Sequence, residues 1–338
     1  MLATIIFLVV MLAVTLGVAA YETWGERKVA AFMQDRIGPN RAGPLGLLQP
    51  LADGGKMIFK EDFVPKTANR RLYFMGPAIA MTTALLTGVV IPWGGTLEIF
   101  GTKFNLQGAD PEIGILYVFA MVSIGVYGIM LGGWASNNKY ALYGAIRASS
   151  QMISYELAMG LSLVALIMTT GTLSMSGLLG GQLDGMWNIL VQPLGFLIFF
   201  VCALAETNRA PFDLPECETE LVGGYHTEFS SMKLGFYLFA EYVNMFISSA
   251  VMATLYFGGY DIPFVDQAGI DSNWITLLGT AAMFAKVIFF IFTFMWIRWT
   301  LPRFRYDQLM NLGWKKLIPL AILNILLTGA VMYFRGKI

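Results

Sequence analysis

Eight stretches of about twenty mostly apolar residues recur along the chain, at 3–23, 73–93, 113–133, 152–173, 188–207, 234–256, 275–298 and 316–335. A helix of about 20 residues crosses the ~30 Å hydrocarbon core of a bilayer, and in lipid the backbone must satisfy its own hydrogen bonds. The pattern therefore predicts an all-α integral membrane protein of about eight transmembrane helices. Composition agrees: 57% of the 338 residues are hydrophobic and 13% charged, against about 25% charged in a soluble domain. The run 113–133 is diluted by Gly114, Gly125, Gly128, Gly132 and Gly133, which suits close packing between membrane helices. The first run lacks the basic flank and small-residue cleavage site of a signal peptide and is expected to stay as the first helix. No soluble domain of useful size remains between the runs, so a single membrane domain over 1–338 is expected.

Basic residues set the expected orientation. Of the 22 Lys and Arg, 18 fall at the loops after the first, third, fifth and seventh runs; Lys103, Arg335 and Lys337 lie on the other side, and Lys286 is inside a run. The positive-inside rule puts the basic loops in the cytoplasm and both termini outside. Twenty-two acidic residues bring the formal charge to zero, which excludes nucleic acid as a partner because it needs a basic footprint.

Redox chemistry is limited by ligand supply. Two cysteines, Cys202 and Cys217, and one histidine, His226, fall short of four thiolates for a cubane cluster or two imidazoles for a bis-histidine haem. No metal site is expected, the cysteines read as free thiols, and His226 reads as structural.

The first loop carries an amphipathic segment over about 45–60. At 100° per residue Leu45, Leu48, Leu51, Ala52, Ile58 and Phe59 share one arc, and Gln49, Asp53, Lys56 and Lys60 the other. An interfacial helix with Pro50 in its first turn is predicted, either as a surface anchor or as one wall of a cavity. Glu26, Arg27, Lys28, Arg36 and Arg41 precede it.

Ionisable residues inside apolar runs are costly and mark wet cavities or pairs. Glu156 and Glu206 lie near the cytoplasmic ends of their runs, Glu241 about 10 Å deep at 1.5 Å per residue, and Lys286 near mid-span. The outer halves hold no matching carboxylate, so lateral transfer to a partner is expected rather than a complete proton path. The loop 208–233 alternates carboxylates with Pro, Phe and Leu: Asp213, Glu216, Glu218, Glu220 and Glu228 follow Glu206, with Arg209 as the strong cation. Like charges this close titrate in coupled steps.

The segments GERKVAAFMQDRIGPNRAG, GLLQPLAD, WASNNKYALYGAIRASSQMISYE, AETNRAPFDLPECETEL and WIRWTLPRFRYDQL resemble one family. It comprises the H-type membrane subunit of bacterial NADH:quinone oxidoreductase (respiratory complex I) and its mitochondrial counterpart, NADH dehydrogenase subunit 1. The resemblance covers nearly the whole chain. It implies a membrane subunit that encloses a quinone chamber, with Glu26, Arg27, Arg36, Asp53, Lys56, Phe212, Asp213, Glu216, Glu218 and Glu220 lining or bracing it. It implies that Glu156, Glu206, Glu228, Glu241 and Lys286 couple quinone reduction to proton translocation. Quinone is then the bound substrate, and haem, iron–sulfur and flavin belong to other subunits. The implied partners are hydrophilic-arm quinone-site subunits, antiporter-like membrane subunits and membrane lipid, in a bacterial inner membrane. The homologous membrane subunit of an energy-converting hydrogenase, a solitary ion transporter and an inert anchor stay open as alternatives.

Overall fold

The computed structural model describes residues 2–99, 102–183, 185–214, 221–263 and 273–335. Among them seven helices are long and apolar enough to cross a membrane. They are α1 (Leu2–Met33), α3 (Arg70–Thr87, extended by a 3-10 turn to Val90), α4 (Gly114–Ala135), α5 (Lys139–Thr170), α9 (Ser231–Tyr256), α10 (Asn273–Thr300) and α11 (Tyr306–Phe334). The interfacial helix α2 runs Gln49–Phe59 with Pro50 in its first turn. Its Leu51, Ile58 and Phe59 are exposed, as expected of a face that meets lipid or a partner. On the opposite end of the bundle lie the short α6 (Met175–Leu183) and a hairpin of β1 (Thr96–Ile99) and β2 (Thr102–Asn105). The hairpin, which the apolar pattern does not signal, is tied to the start of α10 through Asn273 and Thr276.

The fifth predicted span, 188–207, is not one helix. It divides into α7 (Asn188–Val191) and α8 (Pro193–Glu206), with Gln192 between them at φ −130°, ψ 58°. Pro193 causes the break: its ring excludes the preceding residue from helical geometry. Fourteen residues of α8 reach only about 21 Å at 1.5 Å per residue, short of a bilayer core, so this crossing takes α7 and α8 together, from Glu206 to Asn188, whose Nδ2 donates to Leu255 O near the C-terminal end of α9. The break is satisfied from inside the bundle, where Gln192 donates to Thr328 Oγ1 at 2.8 Å and accepts from Asn324 Nδ2 at 3.1 Å.

Two boundaries move in ways that matter. Helix α1 continues ten residues past the predicted 23 to Met33, which puts Glu26, Arg27 and Lys28 on a helix rather than in a loop. Helix α5 starts at Lys139, capped by the Asn138 side chain accepting from Tyr140 N, well before the predicted 152. In both cases the helix projects past its apolar stretch, which hydropathy cannot report.

Helix α9 is the hub, buried over most of its length and packed against α1, α3 and α10. Close approach depends on small residues: a Cβ on Gly132 of α4 would collide with the Tyr237 hydroxyl of α9, which itself donates to Gly128 O at 3.0 Å. A π-helical turn at Gly313–Leu317 interrupts α11 where it meets α5. There Tyr155 donates to Leu309 O at 3.0 Å and Trp314 Nε1 to Ser154 Oγ at 3.1 Å.

Candidate functional site

At the basic end of the bundle α1, α2 and α9 splay to enclose a cavity of about 680 Å³, the size of a drug-like ligand site. Its walls are mainly apolar: Leu16 and Ala20 of α1, Pro50 and Met57 of α2, Met81 and Leu85 of α3, and Met232, Phe236 and Phe239 of α9. Six polar side chains break this lining: Thr23, Arg27, Asp53, Arg209, Tyr242 and Arg298. Near the α2 side Arg27 pairs with Asp53 at 2.7 Å, and Gln49 Nε2 holds the other Asp53 oxygen at 3.1 Å. The hydrophilic edge of α2 thus faces the cavity while its apolar edge faces outward.

Deeper in, the charges become buried and shared. Glu26 is 5% exposed; it is ion-paired to Arg298, accepts from the Tyr242 hydroxyl at 2.9 Å, and lies 3.6 Å from Arg209 Nη1. The same guanidinium reaches Glu241 at 3.4 Å through Nη2 and stacks over the Tyr242 ring at 4.2 Å. Tyr225 donates to Glu241 Oε1 at 3.1 Å. Buried ions persist only when paired and hydrogen-bonded, and here one arginine bridges two carboxylates that belong to different helices. A further carboxylate, Glu22, is buried one turn before Glu26, with Arg209 and Glu26 as its charged neighbours.

From Glu241 the polar path continues inside the bundle. Glu241 and Glu206 both line a small cavity of about 40 Å³, together with Thr83, Thr87, Asn208, Tyr225, Tyr237 and Asn244. That is room for water, which needs about 10–15 Å³ and two or more polar partners. Glu206 borders a second small cavity of about 30 Å³ and is an electrostatic neighbour of Glu156, which accepts from Ser123. Gln151 of α5, fully buried, fixes this corner by donating to Ala205 O at 2.8 Å and Phe212 O at 2.7 Å.

The remaining expected residues divide. Asp213 is buried and pairs with Arg303 at 3.0 Å. Phe212 does not line the cavity; its ring is buried between Tyr155 and Phe304. Arg36 and Lys56 are exposed and outside the cavity lining. Glu228 sits at the rim of an open polar pocket, accepting from Asn138 Nδ2 at 2.5 Å. Glu216, Glu218, Glu220 and Cys217 lie outside the described residues. Cys202 is buried.

Lys286 is not brought to the carboxylates. Its ammonium donates to the carbonyls of Phe257, Gly259 and Asp261 at 2.7–2.9 Å and lies over the Trp187 ring, just past the C-terminal end of α9. Glu241 is roughly 24 Å away along that helix at 1.5 Å per residue. A cation there satisfies carbonyls of the turn that follows α9 and suits the negative end of the helix dipole. Lys286→Met is expected to destabilise the subunit by about 2–3 kcal/mol, measurable as earlier thermal loss from detergent-solubilised complex.

Sequence reading missed Glu22, Tyr225, Tyr242 and Arg298. Glu22 and Glu26 at i, i+4 share a helix face, a signal hidden by ending the first helix at 23. Tyr225 is held by a close approach to α5: a Cβ on Gly144 would lie 2.7 Å from Tyr225 N. Gly144→Ala is therefore expected to displace Tyr225 from Glu241 and cost about 1–3 kcal/mol by overpacking, read as lowered thermal stability together with lowered turnover.

Comparison with known proteins bears on this arrangement. A family described as NADH dehydrogenase matches residues 5–329. An H-type subunit of NADH-quinone oxidoreductase from Cytophaga hutchinsonii is 67% identical over 94% of this chain and 93% of its own. The H-type subunit from Flavobacterium johnsoniae is 61% identical over 97% and 94%, and NADH-quinone oxidoreductase subunit 8 of Rhodothermus marinus 48% over 91% and 91%. With matches this long and a bundle of seven membrane-competent helices among the described residues, the chain is a multi-pass membrane protein belonging to the NADH dehydrogenase family.

Proposed function

We propose that this chain is the membrane subunit of a proton-pumping NADH:quinone oxidoreductase that encloses the quinone chamber and passes the effect of quinone reduction into the membrane. The observation that carries the reading is the cavity between α1, α2 and α9, whose apolar walls end on a buried Arg209 bridging Glu26 and Glu241. An apolar tunnel suits the isoprenoid tail of a quinone. Its polar end offers cations and a tyrosine hydroxyl to a head group that gains negative charge on reduction.

Coupling follows from shared charge. Arg27, Arg209 and Arg298 attract negative charge arriving in the chamber, and whatever they give to that charge is withdrawn from Glu26 and Glu241. Glu241 then binds a proton more readily, and Glu206 and Glu156 form the next members of the carboxylate row. Water in the small cavity between Glu241 and Glu206 bridges their step. Asp213 is held by Arg303, and Glu216, Glu218 and Glu220, which follow it in the sequence, belong with it to the quinone site in this reading. Glu228 and its polar pocket face the same end. Lys286 acts only by holding the far end of α9 in place. Quinone-site and antiporter-like subunits are the partners, the membrane is a bacterial inner membrane, and both chain termini lie on its non-cytoplasmic side.

The test is to tag the chain, purify the assembly from native membranes and assay reduction of a quinone analogue by NADH. Inhibitor-sensitive turnover is the expected result. An assembly that instead evolves hydrogen or oxidises ferredoxin without NADH:quinone turnover overturns the reading.

A further inference from the structure

The buried charges around Arg209 do not balance. Among the described residues two guanidiniums, Arg209 and Arg298, meet three buried carboxyls: Glu26 and Glu241, each paired as described, and Glu22. Glu22 is 5% exposed, and neither of its carboxyl oxygens has a hydrogen-bond partner among the described residues. It lies close enough to the cluster for Arg209 to attract it and Glu26 to repel it. Among the described residues the groups facing this corner are Arg209 after α8, Glu241 and Tyr242 on α9, Arg298 on α10, and the Arg27–Asp53 pair between α1 and α2. Arg27 is paired with Asp53, which leaves Arg209 and Arg298, among the described residues, as the cations beside the three carboxyls. An ionised carboxyl buried with no hydrogen bond is strongly disfavoured and takes up a proton instead.

We infer that Glu22 is a further proton-holding residue of the chamber: Glu22, Glu26 and Glu241 share one proton around Arg209 and Arg298, and it rests on Glu22. The inference rests on the quinone reading above and adds a residue to it. When the chamber demands a proton, the Glu22 O–H bond breaks, its electron pair stays on the carboxylate, and the proton bonds to Glu26, one turn away. Glu26 hands it on through the Tyr242 hydroxyl, which lines the cavity. While the proton is on Glu26 the new Glu22 anion takes its place as the charged partner of Arg209, and once Glu26 has passed the proton on the cluster carries one more negative charge until it is refilled. The depleted store is refilled from the Glu241 side, which makes the cluster a one-proton buffer between chamber and membrane path.

The test uses the purified holo-complex with E22Q, E22L and E22D. Each is assayed for NADH:quinone turnover across pH, for NADH oxidation by an artificial acceptor, and by infrared difference spectroscopy of quinone reduction in the protonated-carboxyl region. The unmodified complex should show a carboxylic-acid carbonyl signal that disappears in E22Q and E22L and shifts in E22D. Quinone turnover should fall roughly tenfold in E22Q and E22L, less than for a group that exchanges protons directly with substrate, with artificial-acceptor activity unchanged and E22D largely restored. Parental turnover in E22Q or E22L at all pH values overturns the inference, as does retention of the carbonyl signal in E22Q. Failure of E22Q to assemble also overturns it, because glutamine copies the neutral acid and would fail only if the native residue were charged. Absence of quinone turnover in the unmodified complex would instead strike the quinone reading itself.

Discussion

Glu241→Gln is expected to lower inhibitor-sensitive NADH:quinone turnover of the assembled complex by about 10²–10³-fold, the range of a proton-transfer group, while NADH oxidation by artificial acceptors stays at the parental rate. Glu241 is the group through which the two halves of the site meet. It faces Arg209 and Tyr225 at the chamber and shares the small cavity with Glu206 on the membrane side. Glutamine keeps the shape and can still accept from Tyr225, so the helix should pack normally, but it neither carries charge to Arg209 nor binds a proton. The measurement is a paired assay on one preparation, quinone reduction and proton uptake into proteoliposomes against artificial-acceptor reduction. Parental turnover and pumping in the variant would make the buried carboxylate row a structural feature.

Arg209→Met should act first on stability. The guanidinium is buried, bridges Glu26 and Glu241, and covers the Tyr242 ring. Removing it leaves buried carboxylates short of a partner, a loss of about 3–5 kcal/mol, enough to consume a large part of the stability of an ordinary domain. The expected outcome is a subunit depleted from the membrane and from the assembled complex, seen by native gel and by quantifying the tagged chain. Adding Glu241→Gln to Arg209→Met should recover part of the lost assembly, because one stranded charge is then gone. Such non-additivity is what neighbours in one charge network show. Full additivity of the two changes would mean that Arg209 and Glu241 do not share an interaction.

The two substitutions probe different legibility. Glu241 stands out in the sequence because a carboxylate inside an apolar run is rare and costly, and no tertiary knowledge is needed to single it out. Arg209 is visible as the lone strong cation of an acidic segment, yet nothing local says that it folds back between α1 and α9. Arg298 and Tyr242 carry no signal: one is a basic residue at a helix end, where topology alone explains it, and the other an aromatic in an apolar helix. Lys286 shows the opposite case, an intramembrane charge with a strong signal whose ammonium is satisfied by three backbone carbonyls at the far end of α9.

Helix limits divide along the same line. Hydropathy finds the portion of a helix that lies in lipid, so α3, α4 and α9 are read from their apolar content within a few residues. It is blind to the polar extensions of α1 and α5, and the α1 extension places Glu26 and Arg27 on a helix packed against α9. Pro193 was in plain view, and its local rule predicts the break that separates α7 from α8, but a twenty-residue apolar average masks it.

What the sequence by itself determined is the solvent, the helical class, the family and the presence of costly ionisable groups. Each follows from composition, from backbone hydrogen bonding in lipid or from contiguous motifs, all properties readable along the chain. Only the tertiary structure decided which charges meet. The Glu22, Glu26, Arg209, Glu241 and Arg298 cluster joins residues up to 276 positions apart, and its pairing is fixed by how helices cross and by what a buried ion must have beside it.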